Sequence, residues 1–304
     1  MEQRIGNRRS PVAVLFAACV LGSFACLMAT AQPAQAATAR NITVVSKHAE
    51  ADKATAYTKA VKGYDITGDK KKDKLTVKIA YTNGGNKTFL KIYVNGKKAK
   101  TLSYATGSFS QVRVKYLRTS SKKPFLYISL IGVSMNGIYG VYHYKSSKLV
   151  KLVKPTSAIA PKYGYMSILG WAKASGERIS VRFMSLTKTL GRADYTYAYH
   201  YKSGKLVRTS ATASDLTPVE GTSFKNQPLA FTTKIYKAAG SGKVAYTAKA
   251  GTKLTISKVK TLKGRPWFYV KNAKGQTGWI KGLGKFVSEM YENAQYNTLF
   301  KNLH

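Results

Sequence analysis

Carboxylates are scarce in this chain. Its 304 residues hold 12 Asp and Glu against 51 Lys and Arg, a formal net charge of +39. That much like charge opposes compaction and attracts any polyanion nearby. Lysine supplies 40 of the basic residues and arginine 11. Lysine is a hydrated point charge, whereas arginine forks onto paired oxygens. The balance favours diffuse attraction to a charged surface over sequence-specific nucleic-acid readout. Cysteine is nearly missing too, since Cys19 and Cys26 both lie in the first 36 residues. Residues 37–304 therefore contain no thiol nucleophile, disulfide or cysteine metal site. Histidine is limited to His48, His143, His200 and His304. Neither His-Glu-x-x-His nor His-x-x-Glu-His occurs, which removes the common zinc-hydrolase patterns.

The amino-terminal stretch reads as an export signal over 1–36. Arg4, Arg8 and Arg9 precede a run from Val12 to Ala31 that is nearly all apolar, and Ala34-Gln35-Ala36 offers a small-x-small cleavage site. The alternative is an uncleaved anchor, because 20 apolar residues are long enough to span a bilayer. No later segment approaches that length. Loss of 1–36 removes three arginines and one glutamate and leaves the formal charge at +37. The expected location is secreted, held at the cell wall or cell surface, where the available anions are teichoic acids, anionic lipids and sulfated glycans.

Beyond a linker at 37–54, the sequence alternates with period two through residues 55–211, as strands require. Residues 142–150 read Tyr-His-Tyr-Lys-Ser-Ser-Lys-Leu-Val and 199–207 read Tyr-His-Tyr-Lys-Ser-Gly-Lys-Leu-Val. Eight of nine positions match, which points to an internal duplication. Each is a hairpin with a two-residue turn, and a weaker third copy runs from Phe89 through the turn Asn95-Gly96. Strands at 75–81, 125–133 and 178–186 precede the hairpins, with others at 111–116 and 167–173. The expected class is all-β: three four-stranded meander repeats, open and propeller-like or sandwich-like.

Half of the six aspartates fall in one turn of the first copy, Asp65-Ile-Thr67-Gly-Asp69-Lys-Lys-Lys-Asp73. Carboxylates at such spacing, with a glycine between, suit a tight oxygen-ligand loop. The same residues also make a plain polar turn. The turn resembles the calcium loops of FG-GAP-type (integrin-like) surface repeats. That resemblance implies side-chain oxygens from Asp65, Thr67, Asp69 and Asp73, a backbone carbonyl from Lys71, and calcium as the cofactor. It departs from the family's pattern at Lys70, where glycine is usual, and at Thr67, where Asp or Asn is usual.

Ser, Thr, Pro and Gly gather at 212–227, read as a linker. Residues 228–286 then carry Ile235-Tyr236, Gly251-Thr-Lys-Leu254, Trp267-Phe-Tyr-Val270 and Gly275-x-x-Gly278-Trp279-Ile280. This stretch resembles a bacterial SH3-like barrel, and its Gly-Trp pair is similar to GW modules. The resemblance implies binding of peptidoglycan, teichoic acids or heparin-like sulfated glycans. Tyr236, Trp267 and Tyr269 are the candidate ligand-stacking residues; the alternative places Trp267 and Trp279 in the core, and Trp279 is assigned there. The tail, 287–304, has the spacing of a short amphipathic helix.

Catalysis finds little support. Glu177 and Asp194 are a carboxylate pair in name only, and the tyrosines at 139, 142, 144, 195, 197, 199 and 201 form either a stacking face or ordinary strand chemistry. The expected function is non-catalytic binding of anionic wall polymer or peptidoglycan. The alternatives are a host-directed adhesin for glycosaminoglycan or protein, and a wall-glycan hydrolase.

Overall fold

The computed structural model describes residues 38–50, 55–82, 87–105, 109–132, 137–154, 159–160, 163–218, 223–284, 299–301 and 303. The expected export signal, and most of the expected tail helix, lie outside these. Among the described residues the chain is all-β, in four antiparallel sheets, with no α-helix.

The first strand, β1 (Arg40–Glu50), falls in the stretch read as a linker. The next four, β2 (Tyr57–Tyr64), β3 (Asp73–Tyr81), β4 (Lys87–Val94) and β5 (Lys97–Ala105), form a meander sheet in chain order. A second sheet takes β6 (Phe109–Arg118), β7 (Pro124–Ile131), β8 (Gly137–Lys145) and β9 (Lys148–Val153), and β1 adds to its β6 edge. A bulge between Thr43 and Val45 turns both Val44 and Val45 into the core, which hides the alternation of β1 in the sequence.

The third sheet runs β10 (Gly164–Ser175), β11 (Arg178–Thr187), β12 (Gly191–Lys202) and β13 (Lys205–Arg208). The segment read as a linker at 212–227 is woven between sheets instead. It supplies β14 (Thr212–Ala213), β15 (Thr217–Pro218) and the start of β16 (Gln227–Pro228). Strand β15 pairs with β12, and β14 and β16 pair with β19 (Lys253–Leu262). Its polar composition serves these edges: Asp215 accepts from Thr196 N at 2.8 Å and Phe224 O accepts from Ile256 N at 2.8 Å. The last sheet adds β17 (Thr233–Tyr236), β18 (Val244–Ala248), β20 (Arg265–Asn272) and β21 (Thr277–Lys281), in the order β14-β19-β20-β21-β17-β18. No described strand closes any of the four sheets on itself. Of the tail, Phe300 is buried in an antiparallel bridge to Leu229.

Alternation explains the burial. Leu75, Val77 and Ile79 of β3 and Leu90, Ile92 and Val94 of β4 point one way, against Val112, Val114, Leu126 and Ile128 of the second sheet. The opposite face of that sheet gives Phe125, Tyr127 and Val141 to a second cluster. There they join Phe183, Tyr195 and Tyr197 of the third sheet and Val259, Phe268 and Val270 of the last. Strand β7 is thus buried on both faces from Pro124 to Leu130, and each fully buried apolar side chain in it is worth about 1.5–3 kcal/mol. Tight turns link the strands. Asn95-Gly96, Ser146-Ser147, Ser203-Gly204 and Lys263-Gly264 all hold positive φ at both residues, the hand that matches strand twist.

The tyrosine row of the hairpins is core, not a stacking face. Tyr139, Tyr142, Tyr195, Tyr197 and Tyr199 are all buried, and only Tyr144 and Tyr201 are half-buried. Burial pushes the Tyr127 hydroxyl up to about 12 and raises those of Tyr195 and Tyr197 as well.

Candidate functional site

Two places gather polar chemistry that the sequence singles out. The first is the turn between β2 and β3. Asp73 is 2% exposed, and both its carboxylate oxygens are engaged. Oδ2 accepts from the backbone N–H of Ile66 at 2.6 Å and of Thr67 at 2.8 Å, while Oδ1 accepts from Asn95 Nδ2 at 2.6 Å. Asp65 Oδ1 accepts from Gly68 N and Oδ2 from Lys70 N, at 2.6 and 3.0 Å. Asp69 Oδ1 accepts from Lys71 N at 2.9 Å, a bond that holds its carboxyl below the usual carboxylate value. Gly68 and Lys70 take positive φ to let these amides point inward.

The three carboxylates converge, each offering an oxygen within 4.8 Å of the others. Thr67 Oγ1 is shielded from solvent close by. The three carboxylates could hold a hard cation, using the lone pairs that the amides leave. Lys71 is exposed and engages the cluster through its N–H. The bonds already present also clasp the turn by themselves. Asn95 belongs to the turn between β4 and β5, and it ties that turn to β3 through Lys74 in both directions.

The second place is the outer face of the last sheet. Along β20, Phe268 and Val270 face the core, so Arg265, Trp267, Tyr269 and Lys271 face away. Trp279 of β21 stands opposite Tyr269 and also pairs with Tyr236 of β17. The Gly275-x-x-Gly278 spacing builds this. Gly275 takes φ +81 in the turn, and a Cβ at Gly278 would lie 2.7 Å from Tyr236 O, so glycine alone lets β17 cross here. Tyr236 meets Trp267 edge-on at 5.5 Å, and Tyr269 meets Trp279 at 5.2 Å.

Burial separates the two tryptophans. Trp267, expected to stack on ligand, is 5% exposed, whereas Trp279, assigned to the core, is half-buried on the outer face. Lysines fringe the aromatics. Lys258 lies over the Tyr269 ring at 5.2 Å, Lys260 pairs with Trp267 from β19, and Lys281 pairs with it from β21. A cleft of about 540 Å³ adjoins them, lined by Tyr236, Lys234, Arg265, Lys281, Phe231 and Leu283 among others. No Asp or Glu occurs anywhere between Glu220 and Glu289. This run of missing acids was readable in the sequence, as was the longer one between Asp73 and Glu177.

The other candidates separate. Glu177 sits in the turn between β10 and β11, beside Arg178, which pairs with His200, and Asp194 lies six residues from His200 along β12. That puts the two carboxylates roughly 20 Å apart, well beyond the ~5–9.5 Å that glycoside hydrolysis uses. Asp194 is instead ion-paired with Arg182 at 3.2 Å. His143 is half-buried with Nδ1 3.1 Å from Pro124 O, while His200, at the matching hairpin position, is exposed. Comparison with known proteins finds no matching family model, no curated relative and no similar solved structure.

Proposed function

We propose that this is a non-catalytic, exported protein of the cell envelope that holds anionic wall polymer, peptidoglycan-linked or teichoic, on the outer face of β17, β20 and β21. One observation carries the reading: Tyr236, Tyr269 and Trp279 form an aromatic stripe edged by Lys258, Lys260 and Lys281, in a stretch without a single carboxylate. Aromatic faces stack on sugar rings and ammonium groups donate to phosphate oxygens, so the pairing fits a charged saccharide.

On this reading residues 1–36 are a cleaved export signal, and the β2–β5, β6–β9 and β10–β13 meanders are three copies of one unit. Strands β17–β21 are an SH3-like domain. Calcium at Asp65, Thr67, Asp69 and Asp73, with the Lys71 backbone carbonyl, belongs to the same proposal, by likeness of the turn to FG-GAP loops.

The test is co-sedimentation with purified cell walls before and after chemical removal of teichoic acid. Retention should fall on stripping, fall again with added salt, and drop about fivefold in Trp279→Ala. Retention indifferent to stripping, salt and Trp279 would overturn the reading.

A further inference from the structure

The geometry points to a second anionic-saccharide site, in the cleft where β10 meets β1 and β6, with Trp171 as its stacking platform and Arg113, Lys115 and Lys173 as its cations. This cleft measures about 360 Å³ and is lined by Asn41, Arg113, Lys115, Gly170, Trp171, Ala172 and Lys173. It lies in the meander region, and it stands whether or not the face at Trp279 binds the same polymer.

The cleft is built rather than incidental. Asn41 uses its side-chain amide as a strand would use its backbone: Nδ2 donates to Ala174 O at 2.8 Å and Oδ1 accepts from Ala174 N at 2.6 Å. That fixes the edge of β10 against β1. Deeper in, the register of β10 against β11 shifts between Leu169 and Trp171. Strict alternation from Leu169 would send the Trp171 ring into the core. The bulge spends one extra residue, so Leu169, Ala172 and Ala174 are buried and Trp171 is left half-buried at the cleft. Bulges commonly re-aim a side chain in this way. The buried Tyr127 hydroxyl pins the bulge, donating to Leu169 O at 2.7 Å.

Charge selects the ligand. No Asp or Glu occurs between Asp73 and Glu177, and among the described residues none of Arg113, Lys115 and Lys173 has a carboxylate partner. Across the sheet on β12, Asp194 is already paired with Arg182. Burial holds Lys115 below its usual lysine value, and the Arg113 charge adds to that. Two half-buried cations side by side are relieved by an oxyanion between them. A flat ring alongside calls for a sugar face or a base. The predominance of lysine over arginine, with Trp as the platform, favours a sugar carrying phosphate or sulfate.

Fluorine NMR of the full chain labelled with 5-fluorotryptophan gives one signal for each of Trp171, Trp267 and Trp279, and Trp171→Phe assigns the first. Titration with a short poly(glycerol phosphate) glycoside and with a sulfated disaccharide should shift the Trp171 signal and separate the two anion sources. The double variant Arg113→Gln, Lys115→Gln should weaken that response about tenfold or more with the Trp267 signal unmoved, which reports an intact fold. A Trp171 signal indifferent to both saccharides overturns the inference. So does an equal response to the uncharged disaccharide, or a stronger one to a single-stranded oligonucleotide.

Discussion

In the turn at 65–73 each aspartate is already taken by an N–H of the same turn or by Asn95, so the chain's densest negative charge is satisfied internally. On the outer face of β20 and β21 the lysines have no carboxylate in the whole stretch from 221 to 288. One region closes on itself and the other is left with unmatched charge and half-buried rings. A satisfied polar cluster is a structural device until something displaces its bonds, whereas an unsatisfied one faces a partner. The sequence marks both with equal emphasis, and the hydrogen bonds tell them apart.

The sharpest way to break this comparison is Asp73→Ala. It strips partners from Ile66 N, Thr67 N and Asn95 Nδ2 at a buried position, which should cost roughly 3 kcal/mol or more. Urea unfolding in EDTA measures the loss, and wall binding by whatever remains folded should be unchanged. A loss under about 1 kcal/mol in EDTA that becomes large in millimolar calcium would make the proposed cation, and not these hydrogen bonds, what holds the turn.

How far the sequence could be read follows the same division. Period-two patterns located the strands from β3 to β12, and Asn95-Gly96 and Ser203-Gly204 marked their turns, because alternation and positive φ are local properties. Strand β1 escaped because its bulge puts Val44 and Val45 on one side. The segment 212–227 escaped because its partners, β12 and β19, are remote in sequence. The relative burial of Trp267 and Trp279 escaped for a similar reason. Both lie on the outer face, and Tyr236 of β17, which bare Gly278 lets approach, meets Trp267 edge-on. Trp171 was hidden altogether, since the period-two reading of 167–173 gives no hint of a bulge at Gly170.

A second test asks whether the tyrosines also close on themselves. Tyr127 has its hydroxyl pushed up to about 12 by burial, against about 10 in an unfolded chain. Its folded value is the higher one, so its stabilising contribution is complete below about pH 10 and fades as pH rises through 12. The loss approaches roughly 2–3 kcal/mol from this residue. Ultraviolet titration of phenolate should show a late group of tyrosines ionising together with unfolding. Tyr127→Phe should remove part of that dependence. Complete ionisation near pH 10 in a still-folded chain would mean that these hydroxyls reach solvent.

The smallest effect sharpens the comparison between two hairpins that differ at one position of nine. Ser147 has φ +63 where its counterpart Gly204 has φ +78. A left-handed residue with a Cβ costs about 1–2 kcal/mol, and glycine returns part of that through its freer unfolded chain. Ser147→Gly should therefore stabilise by about 0.5–1 kcal/mol, and Gly204→Ser should destabilise by a similar amount. Both shifts appear as changes in urea midpoint at constant slope, with wall retention untouched. If Ser147→Gly instead lowers the midpoint, that serine's hydroxyl contributes to the turn more than its backbone strain removes.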